Sequence, residues 1–255
     1  MTGKVYLIGA GPGDPDLITI KGLRLIQSAD VIIYDRLIPM ALLGEASLGT
    51  ELINAGKAPT KHRLSQDDIN EVIVHKALQG KKVVRLKGGD PLVFGRGSEE
   101  ALVCYKYGIP FEIIPGISSS YAVPAYAGIP LTHREISRSF TVITGHSADD
   151  INYEALAHIG GTLVVLMGVK SLPLLVEGLL SAGLSPDTPA ASIEWGTTDS
   201  QRVIEANIRD LPQLANEADL QAPAITVIGD VVRLRSDGVQ WFDLLPDTIL
   251  QEQAV

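Results

Sequence analysis

Three short stretches have residue types and spacing that could do chemistry: GAGPGD at residues 9–14, KGGDP at 87–91 and PGISSS at 115–120. Each follows an apolar run that reads as a strand, and glycine lets a ligand lie directly against the backbone. They differ from phosphate cradles. A dinucleotide fingerprint, G-x-G-x-x-G, would need glycine where Asp14 stands. Pro12 and Pro15 also remove backbone donors that a pyrophosphate would use. Asp35, at the end of DVIIYD, could still hold a ribose hydroxyl, which keeps a nicotinamide enzyme as a lesser alternative. Asp90 in the second loop would repel a phosphate but suits a cation or a pair of hydroxyls. Ser118 and Ser119 in the third loop offer hydroxyls and backbone donors at a helix start, where a carboxylate is favoured. The combined chemistry fits a ligand with a positive centre, a carboxylate and a ribose, and no phosphate. S-adenosylmethionine has those parts. One such loop alone would be a tight turn and nothing more; three at strand ends ask for a common explanation.

The elements that must position these loops alternate. VYLIGA (5–10), DVIIYD (30–35), KVVRLK (82–87) and FEIIPG (111–116) are the expected strands of the first half. Between them ITIKGLRLIQSA and SQDDINEVIVHKALQG have helical spacing, the latter with Ile69, Val72, Ile73 and Ala77 on one face. SQDD supplies an N-cap with acids in the first turn, and Gly80 closes that helix. In the second half FTVITG (140–145), TLVVLMG (162–168), AASIEWG (190–196) and AITVIGDVV (224–232) read as strands, with PLLVEGLLSAG as a helix between two of them. Continuous apolar strands alternating with helices predict an α/β protein with mainly parallel sheets, in which ligands sit beyond the carboxyl ends of the strands. A boundary near Arg134 gives an N-terminal α/β domain, 1–134, a C-terminal α/β domain, 135–245, and a tail, 246–255, with an active-site cleft expected between the domains.

Composition narrows the partners. The net charge is −9, which argues against a general affinity for nucleic acid. Its distribution is uneven: residues 1–134 carry 15 Lys and Arg against 13 Asp and Glu, and residues 135–255 carry 6 against 17. The basic clusters KAPTKHR (57–63) and KKVVRLK (81–87), with Arg96 nearby, point to a polyanionic ligand. No apolar run approaches the roughly 20 residues that cross a bilayer, and the N-terminus does not read as a signal peptide. The single cysteine, Cys104, is read as a small core residue; a chain without an internal disulfide is expected in a reducing cytoplasm. The five histidines show no metal-ligand spacing, so no metal is expected.

VYLIGAGPGDPDLITIKG, the YDRL at 34–37, RLKGGDPLVFGRGSEE at 85–100, PGISSSYAVPAYAGIPLTHR at 115–134 and PAITVIGDVV at 223–232 closely resemble the tetrapyrrole methylases, over nearly the whole chain. The resemblance implies a homodimer that binds S-adenosylmethionine, releases S-adenosylhomocysteine and methylates carbons 2 and 7 of uroporphyrinogen III. Precorrin-1 and then precorrin-2 would form, on the way to sirohaem and cobalamin. The eight carboxylates of that substrate would match the basic clusters. No dehydrogenase/ferrochelatase segment is recognised, so the single-function form is expected. The resemblance implies cofactor contacts at Pro12, Gly88, Gly89, Asp90, Val93, Ser118, Ser119, Met167, Gly196 and Ala224, with Asp35 as proton acceptor and Lys57 as proton donor. Arg85 and Arg96 flank the second loop and are expected to pair with substrate carboxylates, for which the planar guanidinium fork is suited. Arg85 lies inside a strand, so an internal partner is the competing expectation. The alternatives are a later precorrin methylase, a diphthine synthase acting on a protein side chain, and a non-catalytic sensor of an adenosyl ligand. GRGSEE and AYAGIPLTHR favour methylation of uroporphyrinogen III over the later precorrin step.

Overall fold

The computed structural model describes residues 2–56, 65–146 and 148–242. Lys57, the KAPTKHR cluster and the expected tail at 246–255 lie outside the described residues. The chain divides into two compact units, Met1–Ser118 and Ser119–Val255.

The first unit holds strands β1 (Lys4–Gly9), β2 (Val31–Tyr34), β3 (Glu51–Asn54), β4 (Lys82–Lys87) and β5 (Phe111–Ile114). Its helices are α1 (Ile20–Ile26), α2 (Ala41–Gly44), α3 (Gln66–Leu78) and α4 (Gly97–Lys106). The strand order is β3-β2-β4-β1-β5, and every pairing is parallel. Both faces of this sheet are covered, which is why its central strands are apolar throughout. On one face Val5, Leu7, Ile33 and Val83 pack with Ile69, Ile73 and Ala77 of α3 and Ala101 and Cys104 of α4. On the other, Ile8, Ile32, Val84 and Leu86 pack with Ile26 of α1 and Leu42 of α2. Cys104 is fully buried, and burial pushes its thiol up to about 11. Ser65 caps α3 through a reciprocal box with Asp68, as the SQDD spacing predicts.

The second unit holds α5 (Ser119–Tyr126), β6 (Phe140–Thr144), α6 (Tyr153–His158), β7 (Thr162–Leu166), α7 (Leu172–Ser181), β8 (Pro189–Glu194), β9 (Arg202–Asn207), α8 (Leu211–Glu217) and β10 (Ala224–Ile228). Its order is β6-β7-β10-β8-β9. Here the expectation of a mainly parallel sheet needs correction. Only β6 and β7 pair in parallel; β10 runs antiparallel to both β7 and β8, and β9 antiparallel to β8. Strands β6, β7 and β8 share one direction because helices α6 and α7 carry the chain back between them. The short connection from β8 to β9 admits only an antiparallel hairpin.

The two strands that sequence reading passed over, β3 and β9, both lie at sheet edges. Neither has a fully buried residue, and polar residues interrupt both, which leaves no continuous apolar run to read. The division at Ser118/Ser119 falls earlier than Arg134 because α5 packs on β7 and β10. Val123, Ala127 and Ile129 belong to one core with Val164, Leu166, Ile193 and Ile225. Among the described residues no helix is long and apolar enough to cross a membrane.

Glu112 on β5 is paired with Lys21 of α1 and with Lys4 of β1. The hydrogen bond from Lys21, then that from Lys4, pulls its carboxyl from the ordinary 4.5 down to about 2. A depressed acid stabilises the fold above its unfolded value and loses that contribution as pH falls through the folded one. The Glu112→Gln protein should therefore melt below the unaltered protein at neutral pH. The difference should fade from about pH 4.5 to about 2 and shrink in high salt, since the groups are partly exposed. Thermal melts across that range check it.

Candidate active site

The three glycine loops follow β1, β4 and β5, which are immediate neighbours in the sheet, so they emerge side by side. Gly89 donates to the Gly11 carbonyl at 2.7 Å and Gly11 returns a bond at 3.3 Å. Gly116 closes against Gly89 and Gly9. A Cβ on Gly9 would sit 2.5 Å from the Gly116 Cα and 2.5 Å from the Gly89 carbonyl oxygen. A Cβ on Gly116 would sit 2.3 Å from that same oxygen. Asp90 staples the arrangement: one carboxylate oxygen accepts from the Gly116 N–H at 3.0 Å and the other from the Leu92 N–H at 2.8 Å. Its charge thus ties the second loop to the third. Pro12, Gly88, Gly89 and Asp90 are half-buried along this platform; Ser118 is buried and Ser119 half-buried.

Beyond Asp90 the chain exposes Leu92, Val93 and Phe94 in succession. Phe94 and Arg96 have φ of 52° and 59°, a conformation that non-glycine residues adopt at a cost and that clusters at functional sites. The exposed Arg96 guanidinium is paired with Glu99 at 2.7 and 2.8 Å, and this hydrogen bond raises its pKa.

Asp35 stands one residue beyond β2, its N–H bonded to the Leu86 carbonyl at 3.2 Å. Strand alternation puts it on the same face as Val31 and Ile33, and puts Arg85 and Lys87 of β4 on that face with Val83. Arg85 donates from Nη2 to Asp35 Oδ1 at 2.5 Å and from Nε to Glu100 Oε1 at 2.9 Å. Lys87 Nζ donates to the same Glu100 oxygen at 3.0 Å. Two cations and two anions form a neutral set under α4, as burial demands of charge. The expectation that Arg85 binds substrate is therefore corrected: at 2% exposure its guanidinium is committed to internal carboxylates. Burial pushes the Arg85 pKa down, and Glu100 and Asp35 more than offset it; burial and then Arg85 push Lys87 down.

In the second unit, Met167 follows β7 and Gly196 follows β8. Ala224 opens β10, which runs between those strands in the opposite direction and pairs with Glu194, while Ile225 pairs with Leu166. Met167, Gly196 and Ala224 thus meet at one end of the second sheet. Met167, Trp195 and Thr197 there have φ of 56°, 47° and 69°. Among the described residues no group of three or more His, Cys, Asp or Glu could hold a metal ion.

A sequence model of the Tetrapyrrole (Corrin/Porphyrin) Methylases matches residues 4–212. The chain belongs to the tetrapyrrole methylases. It is 54% identical over 237 residues to the S-adenosyl-L-methionine-dependent uroporphyrinogen III methyltransferase of Methanosarcina barkeri, covering 91% of this chain and 93% of the relative. It is 47% identical to the siroheme synthase of Pseudomonas aeruginosa, over 95% of this chain but only 52% of that protein. Its fold matches the uroporphyrin-III C-methyl transferase of Thermus thermophilus complexed with S-adenyl homocysteine, with a TM-score of 0.78 and 36% identity, over 91% of this chain and 94% of the other.

In this methylase, sequence reading did not single out Lys87, Glu100 and Trp195 as site residues. The parity of Asp35, Arg85 and Lys87 along their strands was a usable signal for Lys87; Glu100, on a helix, had no such signal. Trp195 carried none, because its left-handed turn appears only once β8 and β10 are paired. The glycine platform yields a stability prediction. Gly116→Ala should cost about 1–3 kcal/mol or more, since the clashing atoms are backbone. Gly44→Ala, in a helix with open space around it, should be neutral or stabilising by about 0.5–1 kcal/mol. Urea midpoints of the two variants check this.

Proposed function

We propose that the chain is a uroporphyrinogen III C-methyltransferase that uses S-adenosylmethionine to methylate carbons 2 and 7, giving precorrin-2 through precorrin-1. The identity to the Methanosarcina barkeri protein, over nearly the full length of both, carries this reading. The glycine platform supports it. Its loops present bare backbone and polar groups in place of a phosphate cradle, which suits a sulfonium, a ribose and a carboxylate. Cofactor contacts are assigned to Pro12, Gly88, Gly89, Asp90, Val93, Ser118 and Ser119 in the three loops, and to Met167, Gly196 and Ala224 at the end of the second sheet. The protein is read as a cytoplasmic homodimer.

When bound, S-adenosylmethionine supplies an activated methyl group on sulfur. The protein must hold a pyrrole carbon in line with it, a positioning effect worth about 7–11 kcal/mol in favourable cases. Methylation of a ring carbon leaves a cationic pyrrole system. The Asp35 carboxylate, 32% exposed, stabilises that charge and accepts a proton as the macrocycle rearranges. Lys57 is assigned the donor role. Arg96, exposed and at the mouth of the second loop, exchanges Glu99 for a substrate carboxylate.

Anaerobic incubation with uroporphyrinogen III and S-adenosylmethionine, followed by mass spectrometry, should show two added methyl groups; no added methyl would sink the reading. Asp35→Asn should lower kcat by about 10²–10⁴-fold, the range for a general base. Arg96→Ala should raise the KM for the tetrapyrrole and leave that for S-adenosylmethionine unchanged; equal effects on both would refute its assignment.

A further inference from the structure

The two carboxylate oxygens of Asp35 are not equivalent. Oδ1 is taken by Arg85 Nη2 at 2.5 Å. Oδ2 meets Lys87 Nζ at 3.9 Å, beyond hydrogen-bond reach. Arg85 has no freedom to release Oδ1. Its Nε is bound to Glu100, and its Nη1 donates to the Leu86 carbonyl at 3.3 Å. Glu100 is equally fixed, because Lys87 at 3.0 Å and Gln66 of α3 at 3.3 Å share its Oε1 with Arg85. Glu100 Oε2 is buried without a hydrogen-bond partner among the described residues, so the whole clamp hangs on one oxygen atom. Among the described residues, Arg85 and Lys87 of β4 pair with Asp35, Glu100 of α4 pairs with both of those cations, and Arg36 is next to Asp35 in the chain.

We infer that Arg85, Lys87 and Glu100 are positioning residues: Arg85, held by Glu100 that Lys87 holds in turn, grips one oxygen of Asp35 and leaves the other without a hydrogen bond from the clamp, available to the reacting ring. The inference rests on the function proposed above and adds to it the means by which its carboxylate is aimed. A guanidinium suits the task because one rigid plane reaches two carboxylates at once. An ammonium is a single point on a flexible stem and cannot hold both in register. Lys87 braces the far side: it anchors Glu100 and, among the described residues, is the one ion pair to Oδ2.

A double-mutant cycle separates this role from a structural one. Arg85→Lys, which keeps the charge and removes the fork, is made in the unaltered protein and in Asp35→Asn. Methyl transfer to uroporphyrinogen III is measured with thermal melts alongside. In the unaltered background kcat should fall roughly 10–100-fold, as a small misplacement of a reacting group can cause, with both KM values little changed. In the Asp35→Asn background the same substitution should leave kcat within about twofold, because the arginine acts only through Asp35. Lys87→Met, taken through the same cycle, should show the same pattern and serves where Arg85→Lys folds poorly. Equal losses in both backgrounds would make these residues structural and overturn the inference. A full kcat in Asp35→Asn would overturn it too, while leaving the methyltransferase reading intact. Absence of methylated product from the unaltered protein would overturn both.

Discussion

A guanidinium inside a sheet must be paired with an anion and have its N–H groups accepted, or it destabilises the fold, and much of the first unit is arranged around that demand. Arg85, on the central strand β4, is 2% exposed. Its Nε and Nη2 take Glu100 from the helix above and Asp35 from the end of the neighbouring strand. Leaving either charge alone in such surroundings would cost several kcal/mol, about 3–5 for a broken buried pair. The second cation, Lys87, makes the set neutral. Strand β2, strand β4, helix α4 and, through Gln66, the start of α3 are thus fixed to one another by a single charge problem. Its solution leaves a partly exposed carboxylate at the sheet's functional end.

The second constraint is steric. Three loops can lie in contact at the carboxyl ends of β4, β1 and β5 only if Gly9 and Gly116 lack side chains, since a Cβ on either would fall within 2.6 Å of another loop's backbone. Asp90 then joins the second loop to the third by accepting two backbone N–H groups. The loops are joined to one another by their own hydrogen bonds, which lowers the ordering cost of binding. Strained left-handed residues lie just past it, at Phe94 and Arg96, and at the matching end of the second sheet, at Met167, Trp195 and Thr197. Conformations of this kind persist where the surrounding structure holds them in place.

Much of this was readable from residue order. The central strands are apolar because both of their faces are covered, so they announced themselves; the edge strands β3 and β9 did not, being half polar. Acids and serine at the start of α3 and glycine at its end marked it from local chemistry alone. The direction of β9 and β10 was not readable, because a strand's pattern records which faces are buried and carries no sign for the direction of its neighbour. Nor was the allegiance of α5, whose apolar residues would suit either core.

The sequence by itself determined the α/β class, the three glycine loops at strand ends, and a ligand chemistry without phosphate. Backbone freedom, periodicity and charge type are local properties, carried by each residue wherever it lies. Only the tertiary structure decided that Arg85 faces inward, that Asp90 binds backbone, and that Lys87 and Glu100 belong with Asp35. Those outcomes depend on which strands become neighbours. The order β3-β2-β4-β1-β5 brings together residues 50 to 65 positions apart, and that order is set by the packing of whole helices on both faces of the sheet.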